Sequence, residues 1–224
     1  MQETISQAME DYLRTIYKLG QRLDGGPVTT SLIADKMDVA PASATNMIKK
    51  LAEMKLLAHA PYKGVELTSG GAKIALETIR HHRLLELYLT QALGYGWDEV
   101  DAEADRLEHA ISEEFEDRID AALGHPTVGA HGEPIPSKRG DIRSTAYRPL
   151  SDLEVGSAAV IREVSDRDSE MLRYMEDMGL QLGTDVEVRS KAPFKGPLQL
   201  KVGQGGDCSL GLEVARHIFV EPVM

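Results

Sequence analysis

The side chains best suited to chemistry in this 224-residue chain lie in residues 101–111, DAEADRLEHAI. Four of them follow one another at spacings of four, three and one, which places them on one face of a helix: Asp101, Asp105, Glu108 and His109. Carboxylates crowded on one face repel one another. A solvated acidic face is the common interpretation, but one imidazole beside several carboxylates is also a credible site for a divalent cation.

A second pair of donors lies earlier in the chain, in the stretch RHHRLLELYL. His82 and Glu86 are four residues apart, so both point to the same face of a helix. Asp101 lies one helical turn before Asp105, from where it could reach an ion bound by His82 and Glu86. His81 points about 100° away from His82, and we assign it no metal role.

The composition indicates a globular protein whose negative charge is concentrated in the middle of the chain. Hydrophobic residues make up 42%, and the formal net charge is −11. Residues 81–140 carry 13 acidic and 5 basic side chains, whereas residues 1–80 carry 9 acidic and 10 basic ones. The acidic middle suits a cation as ligand, and the nearly neutral first part leaves room for a local basic face.

Targeting and redox features favour the cytoplasm. The N-terminal stretch MQETISQAMEDYLRTIY has no apolar segment typical of a signal peptide. No stretch approaches the roughly 18 consecutive apolar residues of a membrane span. The single cysteine, Cys208, excludes a disulfide framework and fits a reducing compartment. We therefore expect a cytoplasmic protein without a membrane partner.

Residues 1–75 are expected to form a winged helix-turn-helix domain. MEDYLRTIYKLGQRL shows the helical period and ends at GGP. Two helical stretches follow, TTSLIADKMDV and APASATNMIKKLAEMKLL, and this succession is typical of a helix-turn-helix. The stretch LLAHAPYKGVELTSGG then predicts a hairpin, or wing, with YKG at its tip.

The recognition helix should begin near Pro41 and expose a polar face. Ser, Thr and Asn side chains near its N-terminus can reach base edges in the major groove, while lysines contact phosphates. A solvated face is the alternative, although three of the sparse lysines fall on these elements. The candidate DNA-contacting residues are Pro41, Ala42, Ser43, Thr45, Asn46, Lys49, Lys50 and, on the wing, Lys63.

Residues 76–140 are expected to form a helical domain. AKIALETIRHHRLLELYLTQAL predicts one helix, and WDEVDAEADRLEHAISEEFEDRIDAAL predicts one or two more. A Gly/Pro-rich loop follows at residues 124–141. Apolar residues recur every four positions, which indicates either a core face or a dimer seam: Leu107, Ile111, Phe115, Ile119 and Leu123.

The last part of the chain changes to a strand period. A linker is expected at residues 141–150, followed by a small β-barrel-like module at residues 151–224. Its strands are GSAAVIREVS, TDVEVRS, LQLKVG and HIFVEP, with the helical piece DSEMLRYMEDMGL among them. The fold class is therefore mainly α with a β module.

Six stretches, in this order, resemble motifs of the diphtheria-toxin-repressor-like (DtxR/MntR) family of metal-dependent transcriptional regulators. They are MEDYLRTIYKL, TNMIKKLAEMKLL, RHHRLLELYL, DRLEH, HGEPIP and DMGLQLGTDVEV. The resemblance covers nearly the whole chain. It implies a winged helix, a helical dimerisation domain and an SH3-like (FeoA-like) domain. It also implies a homodimer that binds a palindromic operator when loaded with Fe(II) or Mn(II).

The resemblance also implies two metal sites. The primary site would comprise Asp11, Asp105, Glu108 and His109, and the second His82, Glu86, Asp101 and, from the third domain, Asp168. His125 and His131 mimic a zinc pair, but the loop that they occupy carries no metal in the family. We therefore expect both to be structural.

Two departures from the family bear on the metal. The iron-sensing branch has sulfur ligands where this chain has Asp11 and Asp105, and hard oxygen donors favour Mn(II) over softer competitors. The manganese branch has an additional acid where this chain has Arg14. We therefore expect separated metal sites rather than a closely spaced pair of manganese ions.

The sequence as a whole predicts a Mn(II)-responsive DNA-binding regulator of metal homeostasis, with Fe(II) as a candidate second activator. Zn(II), Co(II) or Cd(II) could bind in vitro, and no organic cofactor is expected. One alternative is a winged-helix sensor of a small organic ligand. A metal-dependent hydrolase is a second, but no motif such as HExxH supports an enzyme.

Overall fold

The computed structural model describes residues 5–23, 25–60, 64–143, 145–165 and 168–223, with the backbone alone for residues 59 and 60. These residues form two compact units. The first unit comprises the described residues within Met1–His82, Glu108–Ile111 and Pro136–Ile142. The second comprises those within Arg83–Leu107, Ser112–Ile135 and Arg143–Met224.

Three helices and a hairpin form the core of the first unit. The helices are α1 (Gln7–Arg22), α2 (Thr30–Lys36) and α3 (Pro41–Glu53). Helix α3 begins at Pro41, as predicted, since proline lacks the N–H that the first helical position leaves unbonded. The apolar faces of the three helices bury a shared cluster that includes Leu13, Ile16, Ile33, Ile48, Leu51 and Val65.

The predicted wing is an antiparallel hairpin of β1 (Leu57–Ala60) and β2 (Gly64–Leu67). Its tip, with Lys63, lies outside the described residues. Val28 and Val65 exchange two backbone hydrogen bonds of 2.9 Å, which tie β2 to the segment before α2. Gly64 has φ +98°, and a Cβ there would lie 2.8 Å from the carbonyl oxygen of Val28, so glycine alone fits.

Three further helices follow the wing: α4 (Ser69–Leu93), α5 (Val100–Leu107) and α6 (Glu113–Ala122). Ser112 caps α6 by accepting a hydrogen bond from the backbone N–H of Phe115 at 3.3 Å. Of the predicted apolar stripe, Ile119 is buried, whereas Phe115 is 44% exposed. The core interpretation of this stripe is wrong at Phe115, and the dimer seam stays a prediction.

The C-terminal part of the second unit is a six-stranded antiparallel sheet. From one edge to the other, its strands are β3 (Arg148–Pro149), β8 (Ile218–Pro222), β4 (Ala158–Val164), β5 (Asp185–Lys191), β6 (Leu198–Val202) and β7 (Asp207–Leu210). The four predicted strands are present as β4, β5, β6 and β8, and the predicted helix is present as α7 (Ser169–Asp177). Three short elements were not predicted: β3, β7 and α8 (Leu212–Ala215). Each has only two to four residues, which is too short to show a hydrophobic period.

Apolar side chains on the inner face of this sheet make the largest core of the second unit. Ile161, Val188, Leu200 and Val220 are completely buried, together with Leu172 and Met175 of α7. The alternation of buried and exposed positions along β4 follows from the period of a half-buried strand. None of the helices in the described parts of the chain is both long and apolar enough to span a membrane.

Candidate metal centres

The first cluster of donors lies in the first unit, where α1 approaches the turn that follows α5. Asp11, Glu108 and His109 each offer a ligand atom within 4.8 Å of the others. The Nε2 atom of His109 lies 3.0 Å from Oδ1 of Asp11 and 3.1 Å from Oε1 of Glu108. Two carboxylates thus share one imidazole nitrogen, which is the predicted donor chemistry.

The other ring nitrogen of His109 contacts a carboxylate that was not among the predicted site residues. Its Nδ1 atom is hydrogen-bonded to Oε2 of Glu10, the neighbour of Asp11 on α1. A carboxylate on the far nitrogen fixes the ring orientation of a metal-ligating histidine and raises its basicity. Glu10 therefore orients His109 so that Nε2 faces Asp11 and Glu108.

Glu108 is the most deeply buried acid of this cluster, with a side chain that is 0% exposed. Its Oε2 accepts a hydrogen bond from Nη1 of Arg14 at 2.9 Å and lies 2.7 Å from Nδ1 of His82. A buried carboxylate is costly unless positive charge and hydrogen bonds compensate it, and Arg14 supplies both. The structure thus brings His82, predicted for the second site, to Glu108.

The local fold around DRLEH differs from the prediction of one helix face. Helix α5 ends at Leu107, and Glu108 and His109 follow it in a turn because Ser112 begins a new helix shortly afterwards. Asp105 is an exposed residue of α5 and belongs to the second unit. Its role as a ligand stays a prediction.

A second cluster of donors is buried in the second unit. Glu86, His131 and Glu133 offer ligand atoms within 4.8 Å of one another, and all three side chains are buried. The Nδ1 atom of His131 lies 3.4 Å from Oε1 of Glu86. The Nε atom of Arg83 lies 3.7 Å from Oε1 of Glu133, so a positive charge accompanies the two acids.

His131 is held in place by its neighbours in the second unit. Its Nε2 is hydrogen-bonded to the carbonyl oxygen of Trp97 at 3.0 Å, which leaves Nδ1 to face Glu86. The rings of Trp97 and His131 stack with centroids 5.4 Å apart. The backbone N–H of Val164 in β4 donates to the carbonyl of His131 at 2.9 Å, so the sheet fixes this segment.

The electrostatics of the second cluster favour a cation. Burial alone lowers the pKa of His131, but the side-chain contact and charge of Glu86, the charge of Glu133 and the Trp97 carbonyl raise it to about 9. The environment is therefore negative enough to hold a proton on the imidazole. A divalent cation is the other species that such a donor set accommodates.

His131 and Glu133 were missed as candidate ligands, and His131 was expected to be structural. The available signal in the sequence was the tripeptide HGE, in which His131 and Glu133 flank Gly132. Gly132 has φ +95°. His125, by contrast, is exposed and lies 2.6 Å from Asp120, outside both clusters. Asp168 caps α7, where its Oδ1 accepts hydrogen bonds of 2.9 and 3.1 Å from two backbone N–H groups.

Both donor sets fit a hard divalent cation. Each combines one imidazole nitrogen with two carboxylates, a mixture that suits Mn(II) or Fe(II). Neither set, as far as the described residues go, contains a thiolate. The predicted ligands His82, Glu86 and Asp101 belong to α4 and α5, and their assignment to a single second site stays a prediction.

The predicted DNA-contacting face of α3 is largely exposed. Six of its residues are exposed: Pro41, Ala42, Ser43, Asn46, Lys49 and Lys50. Thr45 is half-buried, and its hydroxyl donates to the carbonyl of Pro41 at 2.7 Å. The hydroxyl oxygen of Thr45 therefore remains able to accept a hydrogen bond but has its proton engaged within the helix.

Comparison with known proteins matches almost the whole chain. Residues 4–65 match the model "Iron dependent repressor, N-terminal DNA binding domain", and residues 68–137 match "Iron dependent repressor, metal binding and dimerisation domain". Residues 148–222 match the FeoA domain. The iron-dependent repressor IdeR of Mycobacterium tuberculosis is 30% identical over 96% of this chain and 96% of its own length.

Solved structures agree with these matches. A manganese-dependent transcriptional repressor in complex with manganese has a TM-score of 0.88 and 35% identity, and covers 96% of this chain and 100% of its own. ScaR with bound Cd²⁺ has a TM-score of 0.80 and 33% identity over 96% of this chain and 99% of its own. The matched domains are those of a metal-dependent, DNA-binding regulator. The chain belongs to the DtxR/MntR family of iron- and manganese-dependent transcriptional repressors.

Proposed function

We propose that this protein is a Mn(II)-responsive repressor that binds a palindromic operator as a homodimer and controls metal homeostasis in the cytoplasm. The observation that carries the proposal is the convergence of Asp11, Glu108 and His109. Asp11 lies on α1, whose apolar face packs in the same core as the recognition helix α3. A cation bound by these three residues would fix α1, and through that core α3.

Coupling between metal and DNA follows from linkage. If the metal-loaded state holds α3 in the geometry that the operator requires, DNA selects this state and tightens metal binding by the same factor. The predicted domains, at residues 1–75, 76–140 and 151–224 with a linker at 141–150, separate these roles. The exposed face of α3, with Asn46 and Lys49, would supply the base and phosphate contacts.

The choice of Mn(II) rests on the donor set and on the relatives. Asp11 offers oxygen at the position where the iron-sensing branch has sulfur, and oxygen is the harder donor. Two relatives with solved structures are named for manganese, whereas the curated relative IdeR is named an iron-dependent repressor, so Fe(II) is the second candidate activator. ScaR has been crystallised with Cd²⁺ and with Zn²⁺, which supports binding of other divalent ions in vitro.

The second cluster would hold a further ion through Glu86, His131 and Glu133. Its donor set repeats one imidazole and two carboxylates, and the ring of His131 is fixed by Trp97. We propose that this ion supports the fold of the second unit. The acids serve binding rather than catalysis in this proposal.

The deciding experiment is operator binding titrated with Mn(II), Fe(II) and Zn(II), with a chelator as control. The proposal expects operator affinity to rise with Mn(II) and to return to its metal-free level with chelator. A winged-helix sensor of an organic ligand would instead bind operator equally with and without chelator. Equal operator binding with and without chelator would contradict the proposal that this repressor depends on metal.

A further inference from the structure

Arg14 lies inside the first cluster although it can ligate no metal. Its Nη1 donates to Oε2 of Glu108 at 2.9 Å and lies 3.4 Å from Nδ1 of His82. Its Nη2 lies 3.7 Å from Oδ1 of Asp11, one turn earlier on α1. The side chain is only 16% exposed. A fixed positive charge therefore touches two of the three residues proposed to hold the ion.

Arg14 divides the two oxygens of Glu108 between different partners. Oε2 faces Arg14 and His82, whereas Oε1 lies 3.1 Å from Nε2 of His109. A carboxylate that bridges two metal ions gives one oxygen to each. In this cluster the guanidinium already occupies the Oε2 side, and repulsion between it and a second cation would be weakly screened in a buried site.

We propose that Arg14 is a specificity-determining residue that acts as a tethered cation and limits the first cluster to one divalent ion. The inference rests on the proposed function, namely that Asp11, Glu108 and His109 hold an ion. Charge balance supports it. Glu10, Asp11 and Glu108 carry three negative charges, Arg14 carries one positive charge, and one divalent ion neutralises the remainder. A second divalent ion would leave the half-buried cluster with an excess of positive charge.

The test replaces the charge of Arg14 and counts bound Mn(II). Arg14→Gln keeps a hydrogen-bond donor but removes the charge, and Arg14→Lys keeps the charge. Equilibrium dialysis against Mn²⁺ measures ions per chain, and electron paramagnetic resonance detects whether two ions lie close enough to couple. We expect Arg14→Gln to bind one more Mn(II) per chain than the parent, with a coupled signal, and Arg14→Lys to match the parent.

The inference is overturned if Arg14→Gln binds the parental number of ions without coupling, or if Arg14→Lys also gains an ion. Circular dichroism of the metal-free variants monitors folding, and Arg14→Met offers a second uncharged variant with the aliphatic stem retained. The single variant His109→Ala, in which Arg14 is unchanged, distinguishes a failure of this inference from a failure of the proposed function. If that substitution leaves the Mn(II) count unchanged, the first cluster holds no ion and both proposals fall.

Discussion

The Nε2 atom of His109 lies 3.0 Å from Oδ1 of Asp11, and this contact joins two segments that are far apart in the sequence. Asp11 belongs to the first helix of the winged-helix core, and His109 to the turn that follows α5. Because Oε1 of Glu108 also lies 3.1 Å from Nε2, a cation placed among these atoms would neutralise the two carboxylates and hold α1 against the turn.

His109→Ala should abolish metal-dependent operator binding while the chain stays folded. The substitution removes the single nitrogen donor of the first cluster and leaves its carboxylates in place. Glu10→Gln should have a smaller effect, weakening Mn(II) binding by roughly 10–100-fold, because Glu10 only orients the imidazole. Operator binding at fixed free Mn(II) measures both. His125→Ala is the control, since His125 is exposed and pairs with Asp120 away from the cluster. An unchanged metal response in His109→Ala would exclude this cluster as the regulatory site.

The exposed face of α3 predicts different effects for its amide and its lysines. Asn46→Ala should relax specificity at one base position, because an amide can pair with a base edge. Lys49→Ala should weaken binding to all sequences alike and reduce the salt slope by about one unit. Binding to a panel of operator variants at several salt concentrations separates the two. If both variants bind the operator panel with the affinity, specificity and salt dependence of the parent, α3 is not the recognition helix.

The winged helix and the donor residues of DRLEH could be identified from the sequence because their signals are local. The apolar period of α1 and α3 follows from the faces that they bury, and Glu108 and His109 are adjacent in the sequence. The position of Asp11 came from family resemblance, since no local pattern distinguishes it from Glu10. The end of α5 at Leu107 was missed because the capping hydroxyl of Ser112 competes with a continuous acidic helix pattern.

The second cluster could not be predicted because its members meet only through tertiary structure. His131 and Glu133 lie in a loop without helical or strand period, and their donor partner Glu86 lies on α4. The loop is positioned by a backbone hydrogen bond to β4 and by the stacked ring of Trp97. Such contacts leave no spacing signal in the sequence, so a histidine in a Gly/Pro loop reads as structural.

Trp97 should report directly on the second cluster. It is the only tryptophan of the chain, and its ring stacks on that of His131 with centroids 5.4 Å apart. Binding of paramagnetic Mn(II) by Glu86, His131 and Glu133 should therefore quench its fluorescence. The variant Glu133→Gln should lose much of this quenching, whereas Asp11→Asn, which alters the first cluster, should retain it. Equal quenching in Glu133→Gln and the parent would argue against an ion in the second cluster.

Gly132→Ala should destabilise the second unit strongly. A Cβ at this position would lie 2.0 Å from the carbonyl oxygen of Arg162, and φ is +95°. Gly156→Ala is a matched control, since its φ is +85° but nothing lies within 4 Å of the added Cβ. We expect a loss of about 1 kcal/mol for Gly156→Ala from backbone strain alone, and roughly 3 kcal/mol or more for Gly132→Ala. Urea unfolding measures the difference, and equal losses would mean that the close approach to β4 is absent in solution.

Asp11→Met should shift activation from Mn(II) toward Fe(II). The thioether is a softer donor than the carboxylate, and Asp11 presents its Oδ1 to the same imidazole nitrogen as Glu108 does. The substitution also removes one negative charge, so Mn(II) binding should weaken in absolute terms. Asp11→Asn is the matched control, because it removes the same charge but keeps an oxygen donor. Operator affinity at fixed free metal, measured anaerobically for iron, gives the ratio of Fe(II) to Mn(II) activation for each variant. A ratio in Asp11→Met no higher than in Asp11→Asn would mean that charge, rather than donor hardness, sets the metal preference of this cluster.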